Sequence, residues 1–388
     1  YTGNQGQGLH TGNDSPTENR RSSVLRQLSR VQSANYSFTI NRQDVNQYGQ
    51  LGRIDSIILD SPTVSLDFSY YLTDGENERL LGFNVNGQDS CVSGRLLADE
   101  SEGQNFFILT AKEGEDAIAN DLDPNADMSV ISLGNGFLSD YSVDLSVGSL
   151  PTASVSIEGF NIKSDVGTTG LELPAVSPFD GTRLANYQDQ LYSVPTAVRN
   201  TATGDGGASE SALRPGDITI ELEDAGLIAA QQGTEASKTS AHIQSCSLSV
   251  PLSRTVLERI GSSFGYTRVV DFPVNASLTV NALVADLKTG TSSNAMVFSL
   301  KNAVLESESF SSSIGSNKSV DLTFSTQIAG PQDLNNGVFM SGVTAQNPGH
   351  FGIPPKFTGY LGTTAQIDGD LKLVNNVGTQ GETSYGPS

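Results

Sequence analysis

The sequence predicts a mainly β protein: two tandem β-sandwich or barrel domains with short helices, related by internal duplication. Three observations carry this. Residues 132–159 and 299–326 align without a gap at a constant offset of 167, with Leu133 on Leu300, Asn135 on Asn302, Leu138 on Leu305 and Gly148 on Gly315. Several stretches alternate apolar and polar residues, the pattern of a half-buried strand. The chain is only 36% hydrophobic, with 40 Gly, which suits many short strands joined by turns. A fixed internal repeat decides architecture before any local reading does.

Along the chain, residues 1–30 read as a polar N-terminal arm and a short helix, the latter from the spacing of Val24, Leu25, Leu28 and Val31. The first domain is expected over 31–162. Its first strand is Tyr36–Ile40, and Val64, Leu66, Phe68 and Tyr70 alternate with polar residues in 62–72. The stretch 142–158 alternates again around a break at Gly148–Pro151. A second upstream match places Val31-Gln32-Ser33 and Ser37-Phe38-Thr39-Ile40 on Ile243-Gln244-Ser245 and Ser247-Leu248-Ser249-Val250. Phe38 then pairs with Leu248, an offset of 210 against 167 further on, so the first copy carries about 43 extra residues within 73–130. An insertion of that size is expected to project, and Asn86-Gly87 is a hairpin turn signal inside it.

Residues 163–217 read as a linker with a Gly/Ser/Asp-rich tract at Gly204–Ser211. The second domain is expected over 218–345. Ile218, Ile220 and Leu222 open it. Ser253 caps a short helix bearing Val256, Leu257 and Ile260 that stops at Gly261, matched in the first copy by Arg42–Tyr48 before Gly49. The strands 273–284 and 318–328 follow. Residues 346–388 form a C-terminal extension.

Little in the sequence points to chemistry. The three histidines, His10, His242 and His350, stand at no ligand spacing. There is no HExxH, GxSxG, P-loop or strand-linked GxGxxG, so no catalytic, cofactor-binding or metal residue is singled out and no cofactor is expected. Asp121, Asp123, Asn125 and Asp127 are rich in oxygen ligands but lack the glycine and distal glutamate of an EF-hand, and read as a solvated loop. Cys91 and Cys246 read as free thiols. Asn-x-Ser triplets, such as the one at Asn35, are expected by chance in so Asn/Ser-rich a chain. The net charge of −21 argues against gripping nucleic acid, which needs Lys and Arg against phosphates; an acidic wall would instead let a polyanion slide. No apolar run reaches the ~18 residues of a membrane span, and no secretory leader pattern is present.

One set of landmarks recurs: an Ile-Gln-Ser strand (Ile243-Gln244-Ser245), Ile260-Gly261, Arg268 to Pro273 before a long strand, Leu300-Lys301-Asn302-Ala303, and a closing pair of strands through Ser313–Ser325. This arrangement resembles the tail tube proteins of long-tailed bacteriophages, in a form with a fused, duplicated tube domain. The resemblance covers 31–162 and 218–345 and rests on strand order and spacing; the first copy departs from it through the insertion and the extra residues after Ser33. It implies tube-like domains whose strands join those of neighbouring subunits into one closed barrel. Three chains would form a ring with pseudo-sixfold symmetry, and rings would stack head to tail into a tube. The implied partners are further copies of the chain and other tail proteins, with DNA passing through unbound. The implied location is the virion, after assembly in the bacterial host cytoplasm. The other roles left open are a capsid decoration or tail-sheath-associated protein and a cell-surface adhesive β-sandwich.

Overall fold

The computed structural model describes residues 2–4, 28–58, 62–85, 104–113, 129–166, 174–177, 242–283, 296–312 and 319–342, apart from a few positions inside those spans. In chain order the strands are β1 Thr2–Asn4, β2 Val31–Thr39, β3 Arg42–Val45, β4 Asp55–Ile58, β5 Thr63–Tyr71, β6 Gln104–Thr110, β7 Ser129–Ser146, β8 Thr152–Gly159 and β9 Asn161–Val166. They continue as β10 His242–Pro251, β11 Arg254–Leu257, β12 Thr267–Val270, β13 Asn275–Leu283, β14 Met296–Lys301, β15 Val304–Ser311, β16 Ser319–Gln327 and β17 Gly337–Gly342. Among the described residues one helix, α1 Glu76–Leu81, interrupts them. The mainly β expectation holds.

The main sheet is antiparallel, with the path β15-β16-β13-β10-β7-β8-β5-β2. Its strands alternate as the sequence requires: in β5, Val64, Leu66, Phe68 and Tyr70 are buried, with Ser65, Asp67 and Ser69 on the other face. β7 is long because it serves two sheets. Its first half pairs with β6 and β9, and its second half with β8 and β10. The change of sheet falls at Asn135, whose φ is 53°, and at a bulge between Leu138 and Asp140. Asn tolerates this left-handed conformation better than most residues. Its side chain also replaces a ladder bond, donating to the Val176 carbonyl at 3.1 Å and accepting from the Val176 N–H at 2.9 Å. Gly134 beside it lies against the Pro174 carbonyl, where a Cβ would sit 2.4 Å from the oxygen.

Several strands of the two halves correspond in position, while β1, β6 and α1 have no counterpart among the described residues. Each of β2, β3, β4 and β5 matches β10, β11, β12 and β13 at an offset of 212, down to the bulge at Val31/Ser33 and Ile243/Ser245. The second half of β7, and β8, match β15 and β16 at 167, down to the bulge at Leu138/Asp140 and Leu305/Ser307. Asn302, at 167 from Asn135, also has φ 53°, and it separates β14 from β15. Gly49 and Gly261, at 212 apart, both have φ 89°.

Several expectations need correction. Phe38 corresponds in position to Val250, not Leu248, so the first half is longer by about 45 residues between its matched strands. A slip of two residues leaves every side chain on its own face, so alternation alone could not detect it. Neither Ser253–Gly261 nor Arg42–Tyr48 is helical: each opens a hairpin, β11–β12 and β3–β4. Three apolar residues at helical spacing are too few to nucleate a helix against β-branched strands that can pair. Leu28 is buried in the core, but Ser29 and Arg30 bend and β2 starts at Val31, so the described end of the expected arm helix is not helical. Thr2–Asn4 of that arm pairs with β6.

The described part of 73–130 does not project. Leu81, Phe83, Val85 and Phe106 join the core with β5, β7 and β8. Asn86-Gly87, the acidic loop 121–127, Gly204–Ser211, 218–222, Gly315, His10, His350, Cys91 and 346–388 lie outside the described residues.

Candidate functional site: an internal seam, two open edges and a polar face

The strands of the two halves meet at β7 and β10, which keep Ser245 opposite Ser146, Leu248 opposite Val143 and Val250 opposite Tyr141. This seam is well packed. Tyr141, Val143, Leu248 and Val250 are all buried in one cluster. Backbone bonds extend it at both ends, from Leu252 N–H to the Ser139 carbonyl at 2.9 Å and from Val147 N–H to the Gln244 carbonyl at 2.9 Å. The β11–β12 hairpin then folds over the first half. Arg254 donates from Nε to the Leu138 carbonyl at 3.1 Å, and its guanidinium lies 5.4 Å from the Phe137 ring centre. Arg268 stacks 4.7 Å from the Phe160 ring centre and pairs with Glu158. Burial lowers the pKa of the Arg268 guanidinium, while the Glu158 carboxylate works the other way and favours its charged form.

The outer edges of the sheet are β2 and β15, the positional counterparts of β10 and β7. Their side chains stand in the open where the counterparts are buried. Phe38 is 57% exposed against 0% for Val250, Phe310 54% against 1% for Val143, and Val304 62% against 6% for Phe137. Tyr36 is likewise exposed and its counterpart Leu248 buried. The β3–β4 hairpin projects with Ile54, Ile57 and Ile58 exposed, whereas Val270, the counterpart of Ile58, is buried. Tyr48 and Ile260, at matching positions on the two hairpin tips, are fully exposed.

The face of the main sheet opposite the core is built largely from Ser, Thr, Asn and Asp. On the first half it carries Ser37, Ser65, Asp67, Ser154, Ser156, Ser142 and Asp144; on the second, Ser247, Ser249, Ser277, Thr279, Asn281, Asp321, Thr323 and Ser309. Cross-strand hydrogen bonds knit it: Ser33 to Ser69 and Ser37 to Ser65 at 2.7 Å, Ser156 to Asp67 at 2.6 Å, Asn281 to Asp321 at 2.5 Å. No Lys or Arg stands at these positions. At its rim, partial burial raises the Asp140 carboxyl and a backbone hydrogen bond opposes it. Beneath it the Cys246 thiol is pushed up to about 12 by burial and the nearby Asp144, which leaves it protonated and unreactive. The structure shows Cys246 as a free thiol.

Among the described residues the core holds a polar cluster that the sequence did not announce. Glu78 of α1 is buried and accepts from Tyr70 Oη at 2.7 Å and Tyr141 Oη at 3.1 Å. Asn77 beside it brackets Ser29, accepting from its N–H and donating to its carbonyl, both at 2.9 Å. A Glu-Asn pair in a six-residue helix gave no sign of either partner. Among the described residues no group of three His, Cys, Asp or Glu could hold a metal ion, and no helix is long and apolar enough to cross a membrane.

The fold and surfaces thus define a mainly β chain with one large antiparallel sheet, polar on one face and open at two matched edges. No protein-family model matches the chain, and no curated protein is found to be similar to it.

Proposed function

We propose that this chain is a structural subunit of a phage tail tube. In this reading two duplicated tube-like domains, 31–162 and 218–345, are followed in the ring by those of the next copy. Three copies, each supplying the eight strands of its main sheet, close into a ring with pseudo-sixfold symmetry. Rings stack into a tube through which DNA passes on its way out of the virion. The work is assembly and passive conduction, with no chemical step. Other tail proteins contact the ends of the tube, and assembly takes place in the bacterial host cytoplasm.

One observation carries the reading: the side chains exposed on β2 and β15 occupy the positions that are buried where β10 meets β7. Exposed strand edges with large apolar residues invite pairing, and closure into a ring removes them. The polar face supports the conducting role, since it offers DNA hydroxyls and carboxylates but no cation at the positions named above. This reading assigns the alternating stretches 62–72, 142–158, 273–284 and 318–328 to the channel wall; they contribute β5, β7–β8, β13 and β16 to this face.

Negative-stain electron microscopy of the purified chain tests the proposal. Stacked hollow rings of three chains are expected. Particles that stay single at high concentration, or that assemble only on a capsid lattice, would replace the tube with an adhesive or a decorating role.

A further inference from the structure

Resting on that reading, we propose the joint between copies in residue detail: β2 of one copy adds to β15 of the next in the register that β10 keeps with β7 within the chain. Carrying the offsets of 212 and 167 across that register puts Tyr36 opposite Phe310, Ser37 opposite Ser309 and Phe38 opposite Glu308. The strands run antiparallel as β10 and β7 do.

The same transfer gives Arg42 a task. It corresponds to Arg254, which donates to the Leu138 carbonyl over Phe137. The counterparts of Leu138 and Phe137 are Leu305 and Val304, so Arg42 donates to the Leu305 carbonyl of the next copy with its stem across Val304. An arginine at both positions fits this, because the guanidinium fork can serve a carbonyl and an apolar flank together. The projecting β3–β4 hairpin also finds its place. It covers the next copy's second half as β11–β12 covers the first, taking the exposed Ile57 and Ile58 out of water.

The joint is not a full copy of the seam. Arg268 and Glu158 correspond to Ser56 and Ser325, so the ion pair of the seam has no equivalent between copies.

Cross-linking tests the register. The bonds from Leu252 to Ser139 and from Val147 to Gln244 make Ser249–Ser142 a non-hydrogen-bonded pair. Such pairs hold their Cα atoms about 4.5 Å apart, within reach of a disulfide. The counterpart pair is Ser37–Ser309, whose members lie on opposite edges of one chain with six strands between them. Mild oxidation of the S37C/S309C full-length chain, in a Cys91→Ser background, is expected to give a ladder of covalent multimers. The S33C/S309C chain, four residues out of register, is expected to give at least tenfold less. Arg42→Ala is expected to raise the concentration needed for rings about tenfold while its melting temperature stays unchanged.

Rings without a ladder would overturn this register and leave the tube standing. A disulfide closed within one chain, or single particles without a ladder, would overturn both.

Discussion

The fold resists the ionisation of Tyr70 and Tyr141. Burial raises both well above the ordinary tyrosine value, and the Glu78 carboxylate between them adds to it. In the unfolded chain these phenols lose their protons near pH 10, whereas in the native state they keep them. Native stability is therefore intact below about pH 10 and falls as pH rises beyond it, because the unfolded state then binds fewer protons. A spectrophotometric titration should find that Tyr70 and Tyr141 ionise only as the chain unfolds. Tyr70→Phe should remove one of the two and cost about 1–3 kcal/mol in denaturant melts, since a buried carboxylate loses a donor. Asn135 shows a different constraint. Asn135→Val must place a β-branched residue at positive φ and forfeits both bonds to Val176, so a loss of about 2–4 kcal/mol is expected by the same measurement.

Elements that repeat in the chain allow the same position to be probed in two environments. Leu248 is buried in the seam and Tyr36, its counterpart, is exposed on the edge. In the isolated chain Leu248→Ala should cost about 2–5 kcal/mol, and Tyr36→Ala should stay within about 0.5 kcal/mol. Equal costs at the two positions would mean that the edge is already covered in the single chain. The strands themselves were legible because alternation needs only local contrast between faces: β5, β8, β13 and β16 fall where Val64–Tyr70, Ala153–Ile157, Val274–Val280 and Val320–Phe324 place them. The hairpins β3–β4 and β11–β12 were not, because Val256, Leu257 and Ile260 satisfy a helical spacing equally well and the partner strand lies a turn away. The joining of both halves into one sheet was hidden for a similar reason. Pairing between β7 and β10 depends on edges far apart in sequence, and no residue type marks it. The Leu-x-Asn landmark could be seen as a repeat, but the left-handed bend that explains it needed coordinates.

At the scale of the whole molecule the polar face carries the clearest electrostatic consequence. Asp67, Asp144 and Asp321 lie on it with no basic residue among the face positions. Replacing all three with Lys should leave the fold unchanged and give assemblies that retain DNA at low salt and release it as salt rises. Gel retention across a salt series measures this, and DNA passing the variant as freely as the parent would place these carboxylates away from any channel. The seam between β7 and β10 has a mechanical consequence as well. Joining two units in one chain brings their edges together at an effective concentration on the order of millimolar, so this weld closes without waiting for a second molecule. A ring would then alternate two kinds of weld. Those inside each chain are tied by the polypeptide and by Arg268 and Glu158. Those between chains would have serine at both places and rest on apolar contact, backbone bonds and the Arg42 hydrogen bond proposed above. Pulled apart by heat, shear or internal pressure, the wall should fracture along every second line, shedding whole chains and never half of one.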